Sequence, residues 1–150
     1  MYRRILVPVH GGALDQSAIS LAASVCDRDS GTILTLVYVV EVPQRLALDA
    51  DLPCDIEDGE SVLRDARKYA ESLKGVTWRK ISTELLQARF AASAIVDESI
   101  ERGADAVVLA SANRRRRGTL TQGETVPFVL DNAPCNVLLI RTSALEGDPE

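Results

Sequence analysis

A doubly wound α/β domain, Rossmann-like, with a five-stranded parallel sheet and four helices, is the fold class that three features of the sequence predict. Short apolar runs rich in Val, Leu and Ile recur along the chain. Four show no polar alternation: Ile5-Leu-Val-Pro-Val9, Ile33–Val40, Ala106-Val-Val-Leu-Ala110 and Asn136-Val-Leu-Leu-Ile140. Strands buried on both faces of a parallel sheet read in this way. The segments between them carry apolar residues at helical spacing, so each strand is followed by a crossover. Finally, 150 residues suit one domain with one core.

Taken in order, Ile5–Val9 is a buried strand ending at Pro8, which has no N–H to give a central ladder. Gly11-Gly12 turns the chain into a helix over Asp15–Asp27, with Ala18, Leu21, Ala22 and Val25 on one stripe. Gly31 stops it, and Ile33–Val40 is the second strand. Glu41–Glu57, with two prolines and no clear period, reads as a surface loop. An amphipathic helix over Asp58–Leu73 follows, with Val62, Ala66, Tyr69 and Leu73 inward and Gly75 at its end. Trp78–Gln87 is the third strand, and the alternation of its first half suits a sheet edge. Ala91–Arg102 is the third helix, with Ile95, Val96 and Ile100 inward, closed by Gly103. After the strand Ala106–Ala110 comes a loop, Ser111–Gln122, then a helix over Gly123–Asn132 and the last strand. The domain therefore spans 1–141, and 142–150 is a polar tail.

Composition narrows the function classes. Apolar residues are 46% and charged residues 26%, ordinary values for a soluble globular chain. No apolar run approaches the ~20 residues of a membrane span, and Met1-Tyr-Arg-Arg leads straight into a strand with no signal peptide. A cytoplasmic protein without membrane contact is expected. Cys26, Cys54 and Cys135 lie far apart beside a single histidine, which indicates neither a disulfide framework nor a zinc site. Net charge is −5, yet Arg114–Arg117 supply +4, so the rest of the chain carries −9. An acidic chain with one basic knot and no interleaved aromatics is not a nucleic-acid binder.

A loop leaving the carboxyl end of a parallel strand and feeding a helix is where α/β proteins hold phosphates. The stretch from Ala106 to Arg141 has that layout. Within it, Ala110-Ser-Ala-Asn113, nine residues, then Gly123-Glu124 keeps the spacing G-x2-G-x9-G-[S/T]. GETVPFVLDNAPCNVLLIR (Gly123–Arg141) and the opening YRRILVPVHGG add two further signatures. Together they resemble the universal stress protein family and its ATP loop, over roughly Tyr2–Arg141. The resemblance implies the strand order 3-2-1-4-5. It also implies a nucleotide site formed by Pro8, Val9, His10, Val39, Ala110, Asn113, Arg114, Gly123, Glu124 and Thr125.

The spacing survives, while three of the four motif residues do not. Ala110 stands for the first glycine, and Asn113 for the second, where Asn tolerates φ > 0 best among non-glycine residues. Glu124 puts a carboxylate where the family presents a hydroxyl to phosphate. Thr121-Gln-Gly-Glu124 also reads as a capping box, but Pro127 argues against a helix that starts as early as Gln122, so Glu124 or Thr125 is the expected cap. Glu124 as an anion filling its own helix-terminal site is preferred to a catalytic Glu. His10 stands where the family's Asp holds the nucleoside. An imidazole can stack on or bond to a base, yet cannot accept two ribose hydroxyls. Arg114–Arg117 are either a solvated tip or, Arg114 first, neutralisers of ligand phosphates.

No serine, cysteine or second histidine can be assigned with His10 to a nucleophile–base pair, so no catalysis is expected. The expected function is a homodimeric binding or regulatory domain whose ATP loop is degenerate, with weak or no ATP binding and no cofactor. ATP or AMP held by the altered loop is the alternative, as is a structural module for an unknown protein partner. Dimerisation through Val137–Ile140 follows if the family order leaves that apolar strand at an edge. Cys135, in the Ala-Pro-Cys corner, reads as a small hydrophobe.

Overall fold

The computed structural model describes residues 1–112, 114–116, 119–121 and 125–142, the two three-residue segments by their backbone alone. The chain runs β1 (Arg4–Pro8), α1 (Ala13–Ser24), β2 (Thr32–Glu41), α2 (Pro53–Ser72) and β3 (Trp78–Ala88). It continues with α3 (Ala91–Glu101), β4 (Ala106–Ala112), β5 (Arg114–Arg116), β6 (Thr119–Thr121), α4 (Thr125–Asn132) and β7 (Asn136–Thr142). Five strands form one parallel sheet in the order β3-β2-β1-β4-β7, which is the 3-2-1-4-5 arrangement.

The missing alternation in β1 has a direct cause. Ile5 and Val7 enter a cluster with Ala18 and Ile19 of α1 and Leu63 of α2, while Leu6 enters a second with Ile95 of α3 and Val129 of α4. All three strand residues are 1% exposed or less. Both faces of the central strand are core, so every position must be apolar.

Several boundaries differ from the sequence expectation, each for a physical reason. α2 begins at Pro53, not Asp58, so the expected loop shortens to 42–52. Proline in a first helical turn forfeits only a donor that has no intrahelical partner there, so the residue that suggested a loop starts the helix instead. α1 begins at Ala13 and ends before Val25, drawing Asp15 inside its first turn. Ile100, expected inward, is 58% exposed. The buried stripe of α3 is Ala92, Ile95, Val96 and Ser99, and Ile100 lies about 100° further round than Ser99. Ser99 takes the inward place because its hydroxyl donates to Val96 O at 2.6 Å.

The stretch 111–122, expected as a loop, is partly strand. β4 runs on to Ala112, and β5 and β6 pair as a separate antiparallel ribbon with Arg114 opposite Thr121 and Arg116 opposite Thr119. α4 starts at Thr125, two residues after the expected Gly123, and Pro127 is then its third residue, among the donors without an intrahelical partner. β7 carries pairing through Thr142, so that residue belongs to the sheet and not to a tail. Among the described residues no helix is long and apolar enough to cross a membrane.

Candidate functional site

Pairing register brings the sequence-marked positions to one end of the sheet. Pro8 lies opposite Val37 on β2, so His10 falls abreast of Val39. β4 pairs with β1 at Ile5–Ala106 and Leu6–Val107, and Ala110 lies three residues beyond that pairing towards the same end of the sheet. Val9 is 3% exposed and extends the pairing beyond β1 by donating its N–H to Val37 O at 2.8 Å. Val39 and Ala110 are half-buried, as is Thr125 at the start of α4. Ala110 is the fifth residue of β4 and pairs with Ile140. A strand needs no positive φ, and alanine in the first glycine's place is therefore free of strain.

His10 leaves the sheet with its side chain 64% exposed. Behind it the chain turns through Gly11 and Gly12, at φ 100° and 95°, values that favour glycine. That turn is held from within by Asp15. Its Oδ1 accepts the N–H of His10 at 3.1 Å and its Oδ2 that of Gly11 at 2.6 Å. The Asp15 side chain is 8% exposed, and Oδ1 stands 3.8 Å from His10 Nδ1. A carboxylate in the first turn of a helix is stabilised by the free N–H groups and the dipole there, which lets it be buried beside a single exposed imidazole.

Sequence reasoning did not single out Asp15 as a functional residue. An acidic residue at a helix start looks like routine capping, and only the positive-φ turn swings two backbone donors back onto it. Glu41 was also missed. At the end of β2 its Oε2 accepts the N–H of Ala91, the first residue of α3, at 3.0 Å. Arg89, next to it, donates to Val42 O at 3.3 Å. These bonds tie the ends of β2 and β3 to α3 at the rim of the site.

Of the remaining predicted positions, Arg114 opens β5, while Asn113, Gly123 and Glu124 lie outside the described residues. Among the described residues no cluster of His, Cys, Asp and Glu is arranged to hold a metal ion. Cys135 is half-buried, and burial pushes its thiol above the usual range, as suits a packing residue.

The arrangement thus places an imidazole, a valine wall and two βα loops at the carboxyl ends of β1, β2 and β4, where open α/β sheets bind ligands. The family model of the universal stress proteins matches residues 1–141. The chain belongs to that family. A universal stress protein of Methanocaldococcus jannaschii is 26% identical over 147 residues, covering 94% of this chain and 83% of that one. Among solved structures, the universal stress protein of Archaeoglobus fulgidus superposes with a TM-score of 0.75 at 22% identity, covering 93% of this chain and 99% of its own. A structure of the Archaeoglobus fulgidus universal stress protein in complex with dAMP gives 0.69 at 20% identity, covering 93% and 98%. In this universal stress protein, then, the sheet order is that of the family's solved structures, and His10 and the Asp15-held turn stand at its carboxyl edge.

Proposed function

We propose that this universal stress protein acts in the cytoplasm by binding rather than by catalysis, as a homodimer whose nucleotide site is altered so that ATP binds weakly or not at all. The observation that carries the reading is the Asp15 carboxylate on the N–H groups of His10 and Gly11. Backbone N–H groups of a βα loop are what such a site offers to an anion, and in the first loop, just ahead of α1, two of them are already engaged. The second loop adds Glu124 in the place of a hydroxyl. A carboxylate ~4 Å from one phosphate charge is repelled by about 4 kcal/mol at an effective dielectric near 20. With half of that surviving compensation by the arginines, ~2 kcal/mol remains, roughly a thirtyfold loss of affinity.

A second reading, an adenine monophosphate site, draws on the relative solved with dAMP. A monophosphate brings less charge to Glu124 than ATP does, and the exposed His10 ring is available to a base. Calorimetry on the whole chain with ATP and with AMP decides between them. We expect little or no heat with ATP, an improvement of about thirtyfold on Glu124→Ser, and a further gain on adding His10→Asp. Tight ATP binding by the wild type overturns the proposal; tight AMP with weak ATP selects the second reading. A turnover assay with Mg-ATP checks the absence of catalysis.

The dimer rests on β7. It stands at a sheet edge, and its Val137–Ile140 run is only half-buried within one chain. Two copies pairing antiparallel across a two-fold axis would cover that edge. Light scattering is expected to give a dimer for the wild type and a monomer for Leu138→Arg. A wild-type monomer at micromolar concentration removes the dimer from the reading.

A further inference from the structure

The two faces of the sheet are not equally covered. α1 and α2 lay 12 and 20 residues over one face, α3 and α4 only 11 and 8 over the other. On the thinner side α3 packs with Leu6, Val37 and Leu86 and leaves the amino-terminal corner of β2 and β3 open. A cleft of about 330 Å³ lies there, between Lys80 and Ser82 of β3, Ile33 and Thr35 of β2, and the residues that end α3. It is at the opposite end of the strands from His10 and Ala110.

Thr35 is only 4% exposed, and it faces Ser82 in the β2–β3 register. Neither hydroxyl has a hydrogen-bond partner among the described residues, and no fully occluded side-chain nitrogen or oxygen lacks one there. The Thr35 hydroxyl therefore opens onto the cleft. A polar group this deep without a protein partner takes its hydrogen bond from something that enters.

Charge narrows what enters. Arg102 is committed, its Nε to Glu98 at 2.7 Å and its Nη2 to Glu84 at 2.6 Å. Lys80 and Arg4 have no carboxylate within ion-pair distance among the described residues, although Arg4 Nη1 donates to Arg102 O at 3.3 Å. Glu101 also lines the cleft, and it too has no ion pair among those residues. Because Arg102 meets two carboxylates, the charges of this corner balance: Arg4, Lys80 and Arg102 against Glu84, Glu98 and Glu101. Lys80 alone of these cations stands on the strand that carries Ser82, so one carboxylate can pair beside the hydroxyls, and a phosphate dianion would bring a second charge, unmet and near Glu101. Leu6, Ile33 and Ala104 supply apolar wall beside these groups.

We propose that this cleft binds a small organic monocarboxylate, with the carboxylate at Lys80, Thr35 and Ser82 and the apolar body against Leu6, Ile33 and Ala104. The volume falls in the range of small-molecule sites. The test is a 15N–1H NMR titration of the full chain at constant ionic strength with isobutyrate, its neutral isostere isobutyramide, and inorganic phosphate. Isobutyrate should shift the amides of Ile33, Thr35 and Ser82 saturably and leave Gly11 and Gly12 unmoved. Isobutyramide and phosphate should bind at least about tenfold more weakly, and Lys80→Met should cost isobutyrate a similar factor. Thr35→Val should weaken it and Thr35→Ser restore it. Should Thr35→Val not fold, the exposed Lys80→Met and the half-buried Ser82→Ala carry the test. An equal response to the amide, a linear unsaturated response, or unchanged affinity in Lys80→Met overturns the proposal.

Discussion

The link from β1 to α1 takes four residues, 9–12, whereas the link from β4 to α4 takes twelve, 113–124. The short one is closed upon itself. Two glycines at positive φ reverse the chain, and one buried carboxylate of the same chain takes the two donors thus exposed. The long one carries a strand pair of its own and four consecutive arginines. The donors that the short loop's turn exposes are already satisfied. Two neighbouring loops of one sheet edge thus differ in charge: the first holds a carboxylate of its own chain against its backbone, and the second carries four arginines in sequence.

The largest expected effect breaks the second half of that contrast. Replacing Arg114–Arg117 with Gln should abolish binding of phosphate or polyphosphate, and rising salt should weaken it in the wild type. Fluorescence anisotropy with labelled polyphosphate across a salt series reads both. Salt-independent binding, or binding unchanged in the Gln variant, returns the arginines to a solvated tip.

Next in size is the internal anion of the first loop. Asp15→Ala should leave the N–H groups of His10 and Gly11 unpaired and cost about 2 kcal/mol of folding stability. A urea melt with an unchanged slope and a lowered midpoint would show it. A loss of only a few tenths would mean that water replaces the carboxylate, and the first loop would then be no more closed than the second.

The smallest effect isolates backbone conformation. A Cβ on Gly12 would meet nothing within 4 Å, so Gly12→Ala tests the φ of 95° alone. It should cost about 1 kcal/mol, with no change in ligand affinity, by the same melt. No loss would place the rigidity of the turn in Asp15 and not in its glycines.

How far the sequence could be read depends on the kind of interaction involved. Apolar runs announced the buried strands because a parallel strand covered on both sides tolerates little else, as Ile5, Leu6 and Val7 illustrate. The positions expected at the carboxyl edge came from the resemblance to the universal stress protein family, carried by the spacing of Ala110, Asn113, Gly123 and Glu124. Asp15 was not legible, since the value of a carboxylate depends on donors that a turn brings to it. The ribbon at Arg114–Arg116 was hidden by charge, which reads as solvent contact whatever the backbone does. Pro53 misled for the opposite reason, because proline punctuates a chain both before a helix and within its first turn.

The sequence by itself determined the layered α/β architecture, the family, the outlying basic knot and the altered loop residues, all of which are properties of local pattern and spacing. Only the tertiary structure decided that Asp15 occupies the first loop, that Ser99 rather than Ile100 faces the core, and that Thr35 and Ser82 lie side by side in an open cleft. Hydrophobic burial is nondirectional and repeats along the chain, so it leaves a periodic trace. Hydrogen bonds and cleft walls depend on angles between residues far apart in sequence, and those angles exist only once the sheet has paired.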